Sequence, residues 1–283
     1  MPLQVAGQLP SRTFRPGRPS RTVRGMRGSS KTAAAFYREL RVLMGPVVQS
    51  VEDMTAWLAS NPGPATAMAA LTAQKEQWRR VLGPSIRAIA RKWVELESET
   101  DRRRLEQQIA KALQVDVVSI FDDEALLNAV ELMQVQAVNL ITTMPDMYFD
   151  KVAMYTMQSY QQERLPEGRS LTEQLRELHK QTYERAKLIA VDQTQKLHCA
   201  VTQARQTSLG IEEYIWRTSN DERVVGTPGG VSPQGNPKHE NHYVRNGRKF
   251  RWDSPPSDGH PGWPIRCRCW ADPVIDYSKL NLR

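Results

Sequence analysis

Residues that could bind a metal ion or act on a substrate are concentrated near the C-terminus, between Trp216 and Pro273. This stretch holds two of the three cysteines of the chain and three of its five histidines. Four of the seven tryptophans also lie there, beside short runs of glycine and proline. It contains no nucleophile, base and orienting residue spaced as in hydrolases or transferases, so we do not expect an enzyme.

Five histidine and cysteine side chains form a candidate zinc site. They follow the pattern His-x2-His-x17-His-x6-Cys-x-Cys, and they are His239, His242, His260, Cys267 and Cys269. On a strand the two cysteines project from the same face, which suits joint binding of a soft metal and suits a mutual disulfide poorly. Any four of the five would complete a tetrahedral zinc site. The alternative is that the cysteines pack as small apolar residues while the histidines hydrogen-bond to loop backbone.

Charged residues near this cluster are expected to have structural roles. Asp221 and Glu222 follow Thr-Ser-Asn, a composition typical of a turn whose side chains cap backbone amides. Arg223 is a candidate partner for one of these carboxylates, and a catalytic carboxylate pair is the less favoured alternative. Arg268 alternates with the two cysteines, so we expect it to face the opposite side, towards solvent or a partner.

Most of the net charge of +8 belongs to the N-terminal segment. Arginine recurs at every third position there, followed by one lysine: Arg12, Arg15, Arg18, Arg21, Arg24, Arg27 and Lys31. Residues 1–31 contain no acid, so they carry +7 and the rest of the chain +1. Prolines forbid a continuous helix and apolar residues are few, so residues 1–30 are predicted to be a disordered basic arm. Such an arm suits contact with nucleic acid or with an acidic protein surface; the alternative is a solvated tail.

The rest of the chain predicts an α+β protein, with a mainly α-helical body and a small C-terminal loop-rich β module. Apolar residues recur at three- and four-residue steps over residues 31–210, with breaks expected at Gly83-Pro84 and at Pro145. The last helix should begin at a Ser170/Glu173 capping box and end near Gly210.

The period changes after Gly210, and residues 211–275 are predicted to form the β module that carries the Cys/His cluster, followed by a tail at 276–283. Glu213 to Arg217 alternates polar and apolar residues, as a half-buried strand does. Asn246-Gly247 predicts a two-strand hairpin between residues 243–245 and 248–252. A module this small needs more than apolar burial to be stable, which favours a metal.

Composition limits the class of protein. No run of about 18 apolar residues is present, so no transmembrane helix and no membrane partner are expected. The N-terminus has no apolar region typical of a secretory signal. An odd number of cysteines argues against a disulfide framework and favours a reducing compartment.

Several spaced elements of the C-terminal stretch occur in an order that is found in one phage protein family. These elements are Trp216-Arg217-Thr218-Ser219, Asp221-Glu222-Arg223-Val224, His242, Gly247, Phe250, Pro261-Gly262, Cys267-Arg268-Cys269 and Pro273. Together they resemble the C-terminal signature of the phage Mu F-like head morphogenesis family, whose members are minor head (minor capsid) proteins. The motif residues that we expect to be structural are Trp216, Asp221, Arg223, Gly247, Pro261 and Arg268.

The resemblance implies a protein present in few copies in the virion. It would lie in the host cytoplasm during assembly and in the virion head afterwards. It would associate with the portal protein, the major capsid protein or both, and assist head assembly or the packaging and delivery of DNA. The basic arm would then contact packaged DNA without sequence preference, or contact the portal.

Two alternative functions remain open at this point. His239-Glu240-Asn241-His242 beside Cys-x-Cys superficially resembles a metal-dependent His-Asn-His nuclease, but that chemistry needs metal ligands on a helix after the histidine. The stretch after His242 predicts a hairpin instead. A DNA-binding protein outside any virion is the other alternative, because the arm alone would permit it.

Overall fold

The structure is a computed structural model. It describes residues 4–6, 20–113, 116–119, 124–161, 169–222, 224, 226, 241–276 and 278–279. Within these residues, four long helices and a small antiparallel sheet confirm the predicted mainly helical α+β class. None of the helices among them is both long and apolar enough to cross a membrane.

The helices are longer and fewer than the sequence predicts. They are α1 Ser30–Ala59, α2 Pro64–Leu113, α3 Glu124–Tyr160 and α4 Leu171–Ser208. The breaks expected at Gly83-Pro84 and at Pro145 are wrong, because both prolines lie inside helices, as does Pro46. Each proline removes one backbone hydrogen bond, a loss of about 3 kcal/mol in an isolated helix. Burial of neighbouring side chains on the same helix, such as Met144, Tyr148 and Phe149 around Pro145, offsets it.

The two ends of α4 have the capping interactions that the sequence predicts. Ser170 Oγ accepts the backbone N–H of Glu173, and the Glu173 carboxylate accepts the N–H of Ser170 at 2.8 Å, forming a capping box. At the other end Gly210 adopts a φ of 81°. Its N–H donates to Thr207 O, and the next N–H, of Ile211, donates to Gln206 O at 2.8 Å, which is a Schellman motif. Local hydrogen bonds therefore define the start and the end of α4.

The chain divides into two compact units that cut across the helices. One consists of Met1–Thr32, Val94–Met133 and Asp192–Arg283, and the other of Ala33–Trp93 and Gln134–Val191. The predicted division into a helical domain at 31–210 and a separate β module at 211–275 therefore does not match the compact units. The sheet shares a unit with the C-terminal part of α2 and of α4.

The regular secondary structure described in the second unit is all α-helical. Its core contains Phe36 stacked on Trp93, with ring centroids 4.8 Å apart, and Tyr148 edge-on to Phe149. His179 in the same unit hydrogen-bonds Glu52 at 2.9 Å. These contacts join side chains of all four helices within the second unit.

The sheet of the first unit has four antiparallel strands in the order β2-β6-β4-β5. Their bounds are β2 Ser20–Thr22, β4 Glu213–Arg217, β5 Lys249–Arg251 and β6 Trp270–Asp276, and a separate pair joins β1 Gln4–Ala6 to β3 Asp116–Ser119. The predicted alternation in β4 is confirmed, since Tyr214 and Trp216 are fully buried and their neighbours are half-buried. These two residues centre an aromatic core with Trp252, Cys267 and Cys269.

The prediction of a disordered arm over residues 1–30 is wrong for its C-terminal third. β2 pairs with β6 from Ser20 to Thr22, which is a strand that the predicted module lacked. Beyond it the Gly25 N–H donates to the Asp272 carboxylate at 2.6 Å, and Arg27 lies over the Trp270 ring at 4.7 Å. A Cβ on Gly25 would stand 1.8 Å from the Ala271 carbonyl oxygen, so the segment lies directly against β6. Composition cannot reveal such an ordering, because the partner is distant in sequence.

The hairpin predicted around Asn246-Gly247 is also different. Residues Tyr243–Arg245 form a 3-10 turn, and β5 pairs with β4 instead. Asn246 has φ −58° and ψ 125°, Gly247 has φ 82°, and Arg248 N–H donates to Arg245 O, which together make a type II turn. A type I′ turn needs positive φ at both central residues, and only Gly247 has it. The Asn-Gly pair thus makes a turn of another type.

Buried charges join α2, α4 and the N-terminal segment. Glu97 and Asp101 of α2 are almost fully buried, together with His198 and Arg205 of α4. His198 Nδ1 lies 3.2 Å from Asp101, which also accepts Arg205 at 2.8 Å. His198 Nε2 lies 2.8 Å from the carbonyl of Met26, and the Ser29 N–H donates to Glu97 at 3.0 Å. The group balances the charge of two carboxylates against that of an arginine and a protonated histidine. Its hydrogen bonds to Met26 and Ser29 also anchor residues 26–29.

We expect the pH dependence of stability to show that His198 is protonated in the folded protein. Burial alone lowers the pKa of this imidazole, but hydrogen bonds and charge from Asp101 and Glu97 raise the pKa to about 10. This exceeds the value of about 6.5 in an unfolded chain, so the protonated ring stabilises the fold fully below that pH. The contribution is lost as the pH rises towards the folded-state value.

The measurement compares melting temperatures of the wild type and His198→Gln across this range. The difference between the two melting temperatures should be largest near neutral pH or below, and it should decrease as the pH approaches about 10. A gap that is independent of pH would contradict a charged His198.

Candidate metal centre

Three side chains of the first unit bring their donor atoms together. His242 stands just before the 3-10 turn, and Cys267 and Cys269 lie in the loop that leads into β6. His242 Nδ1 lies 3.7 Å from Cys267 Sγ and 3.5 Å from Cys269 Sγ. All three donor atoms lie within 4.8 Å of one another. The expectation that both sulfurs share one face is met, although residues 267–269 are not a strand.

These separations match the edges of a zinc coordination tetrahedron. With bonds of about 2.3 Å to sulfur and about 2.0 Å to nitrogen, a tetrahedral angle puts nitrogen and sulfur ligands roughly 3.5 Å apart. The observed distances of 3.5 and 3.7 Å from nitrogen to sulfur lie close to that value. Two thiolates and one imidazole also form the soft donor set that zinc prefers. The three donors could therefore hold a zinc ion.

A buried carboxylate orients the histidine. His242 Nε2 lies 2.8 Å from Asp258 Oδ2, so the ring's other nitrogen faces the sulfurs. The second Asp258 oxygen accepts Arg245 Nη1 at 2.6 Å. Arg245 in turn lies over the ring of Trp216, at 4.8 Å. Histidines that bind metals commonly donate their second nitrogen to a carboxylate in this manner, which sets the tautomer and strengthens the ligand.

A tight turn supplies a backbone donor to one sulfur. The Gly262 N–H points at Cys267 Sγ, 3.4 Å away, and Gly262 adopts a φ of 106°. A Cβ at this position would lie 2.9 Å from Gln195 Nε2 and 3.3 Å from Cys199 Cβ. Pro261-Gly262, a pair from the sequence motif, is therefore required for close approach to α4 and for a hydrogen bond that stabilises a thiolate.

The electrostatics favour loss of one thiol proton. The neighbouring Cys269 thiol donates a hydrogen bond to Cys267, and with His242 this overcomes burial and lowers the pKa of Cys267 well below its usual value. The hydrogen bond to Cys267, together with burial, raises the pKa of Cys269. Burial lowers the pKa of His242, but hydrogen bonds to Asp258 and Cys267 raise it to about 9. Because thiolates are the metal-binding form, a cation can displace the remaining protons.

His260 does not belong to this group, so its prediction as a ligand is wrong for the described arrangement. Its Nδ1 lies 2.9 Å from the Tyr214 hydroxyl and its Nε2 3.1 Å from the carbonyl of Trp252. Burial lowers the pKa of His260, so the ring is neutral and bridges two aromatic residues. This outcome matches the alternative in which a loop histidine bonds to backbone.

Other predicted site residues are placed as follows. Arg12, Arg15, Arg18, Arg223 and His239 lie outside the described residues. Within the described residues the metal group has three donors, so the fourth ligand of a closed zinc site remains a prediction for His239. Arg268 is not simply solvated, because it pairs with Asp221 at 2.9 Å. Lys31 is exposed on the first turn of α1.

Sequence reasoning missed Asp258 and Arg245. Asp258 sits in Ser-Asp-Gly, which reads as an ordinary surface turn, and Arg245 sits in the predicted hairpin. Both are nevertheless buried beside the metal group. Spacing gives no signal for either, because their contact with His242 depends on how two loops fold back on each other.

We expect purified protein to contain about one zinc ion per chain, measured by elemental analysis. Cys267→Ser and Cys269→Ser should each lose it, since oxygen replaces the preferred sulfur donor. Cys199→Ala is the matched control, because this buried cysteine lies behind Gly262 but outside the donor group. If the purified wild-type protein contains no zinc and binds none on titration, the prediction of a zinc site is wrong.

Asp258→Asn should weaken zinc binding about 10- to 100-fold, because the amide orients the imidazole poorly and leaves Arg245 without its charge partner. Competition with a coloured chelator would measure the affinity. Asp253→Asn serves as the control, since that carboxylate pairs with Arg251 at the surface and does not contact His242. Equal affinities of the two variants would rule out an orienting role for Asp258.

Comparisons with known proteins add little to this geometry. No model of a known protein family matches the chain. A protein of Haemophilus influenzae named only as an uncharacterized protein is 37% identical over 143 residues, which is 50% of this chain and 28% of that protein. The chain thus matches less than a third of the length of that relative. No solved structure matches the chain.

Proposed function

We propose that this protein is a phage minor head protein that associates with the portal vertex or the capsid interior and assists head assembly or DNA packaging and delivery. It works by binding neighbours and catalyses no reaction. Its partners are the portal protein, the major capsid protein or both, together with packaged DNA. It lies in the host cytoplasm during assembly and in the virion head afterwards.

The observation that supports the non-catalytic part of the proposal is the burial of the three donor side chains. His242 and Cys269 are completely buried, and Cys267 is 6% exposed. Catalytic zinc sites keep an open position for water and substrate, whereas structural sites are enclosed. Zinc at this position would hold the loop of residues 260–269 against the 3-10 turn at 243–245 and so stabilise the β module. The phage assignment itself is supported by the spaced motif from Trp216 to Pro273.

The two alternatives receive less support. In a His-Asn-His nuclease the histidine must be free to accept a proton. His242 instead has one nitrogen on Asp258 and the other facing two sulfurs. No helix that could carry metal ligands follows it within residues 246–276. A DNA-binding protein outside a virion is not favoured by any contact described above.

The experiment is production of phage heads with and without this protein, followed by analysis of purified particles. We expect the protein in few copies per head, captured by purified portal or major capsid protein. The Cys267→Ser/Cys269→Ser double variant should be depleted from heads, since its β module loses the metal clamp, whereas Cys199→Ala should be incorporated normally. Absence of the wild type from heads and from both captures would contradict the proposal.

A further inference from the structure

A basic cleft opens beside the ordered part of the N-terminal segment. Its volume is about 810 Å³. Residues 21–27 line it together with four residues of α2 and one of β6, namely Arg104, Gln107, Gln108, Lys111 and Trp270. The cleft belongs entirely to the first compact unit.

The charge of the cleft has one sign. Five of its lining residues are cationic, and none of the described lining residues is acidic; the cations are Arg21, Arg24, Arg27, Arg104 and Lys111. Three of them, Arg21, Arg24 and Lys111, are exposed to solvent. A concave surface lined by one sign of charge concentrates the electrostatic potential and attracts polyanions. The α2 cations are not adjacent to the arm in sequence, so only the fold creates this concentration.

Two side chains of α2 hydrogen-bond to backbone carbonyl oxygens of the N-terminal segment and hold it in place. Arg104 Nη1 donates to the carbonyl of Arg27 at 3.0 Å, and Gln108 Nε2 donates to the carbonyl of Arg24. The backbone between them is fixed by the Gly25 bond to Asp272. Partial burial, and then the nearby Arg268, lower the pKa of Arg27, although Asp221 acts in the opposite direction. The cleft is therefore built before any ligand arrives.

We propose that this cleft binds the phosphodiester backbone of nucleic acid, through Arg21, Arg24 and Lys111 as direct phosphate contacts. The inference deepens the DNA contact of the proposed function and rests on it. It also moves that contact from a free arm to a folded surface that includes α2. Binding is independent of base sequence, because phosphate contacts position a nucleic acid and do not read it.

The lining favours nucleic acid over an acidic protein. Interfaces between proteins usually have an apolar centre, whereas interfaces with nucleic acid are polar and strongly positive. Here Trp270, the large aromatic side chain of the cleft, already carries Arg27 on its ring. Gln107 and Gln108 add amide groups that can donate to phosphate oxygens. Apolar side chains such as Val23 and Met26 also line the cleft, so its five cations are the feature that favours nucleic acid.

The test measures binding of full-length protein to short labelled DNA, single-stranded and duplex, by fluorescence anisotropy over a range of salt concentrations. Arg24→Glu/Lys111→Glu should weaken binding at least about tenfold at low salt and reduce the salt slope on duplex by about 2, since each lost phosphate contact removes roughly 0.9. Arg87→Glu/Arg91→Glu changes the net charge equally, on exposed residues of the same helix outside the cleft, and should bind nearly like wild type. The difference in affinity between single-stranded and duplex DNA identifies which of the two the cleft binds.

Several outcomes would overturn the inference. Equal losses in the two double variants would show that only net charge matters. Equal affinity for poly-glutamate and DNA would assign the cleft to an acidic protein. Circular dichroism and melting temperature check that both variants fold. If the protein is present in heads but the cleft variant binds DNA as well as the control variant does, only the cleft is refuted. If DNA binding depends on the cleft but the protein is absent from heads, only the proposed function is refuted.

Discussion

The carboxylate of Asp272 joins three parts of the chain, and the first compact unit depends on it. One oxygen accepts the Gly25 N–H at 2.6 Å and the Trp270 indole at 3.0 Å, and the other accepts Arg217 at 2.7 Å. The side chain is 8% exposed. A buried carboxylate is tolerated only when its oxygens are paired in this way. Through these bonds Asp272 places the N-terminal segment, β4 and β6 at fixed positions relative to one another.

The same constraint sets the surroundings of the metal group. β6 begins one residue after Cys269, so the register between β4 and β6 decides where both sulfurs lie. Trp216 opposes Ala271 in that register, and its ring stands edge-on to His242 at 5.2 Å. A sheet with strands of three to seven residues buries little apolar surface, so a metal ion would supply stability that packing alone does not.

Local signals predicted local structure. The alternation in β4, the capping box at Ser170 and the positive φ at Gly210 all depend on neighbours in sequence, and the structure contains each of them. The Cys-x-Cys spacing also correctly indicated that the two sulfurs belong to one group that could hold a metal ion. Such features follow from backbone geometry that a few adjacent residues determine.

Features that depend on distant partners could not be predicted. The ordering of residues 20–29 needs β6, and the role of Asp258 needs the 3-10 turn. Buried Glu97 and Asp101 lie in a charged stretch that looks like a solvated face, because their partners are on α4. The helix breaks predicted at the prolines were wrong for a similar reason. Tertiary burial of nearby side chains on the same helices keeps those helices continuous.

The pairing of β2 with β6 has a consequence for biosynthesis. Gly25 and its acceptor Asp272 are 247 residues apart, so the sheet closes only after the residues up to β6 have left the ribosome. The N-terminal strand must wait for its partner while the helices between them form. Topologies with such long-range pairing fold slowly. Any surface that includes this sheet is therefore absent from a nascent chain until β6 has emerged.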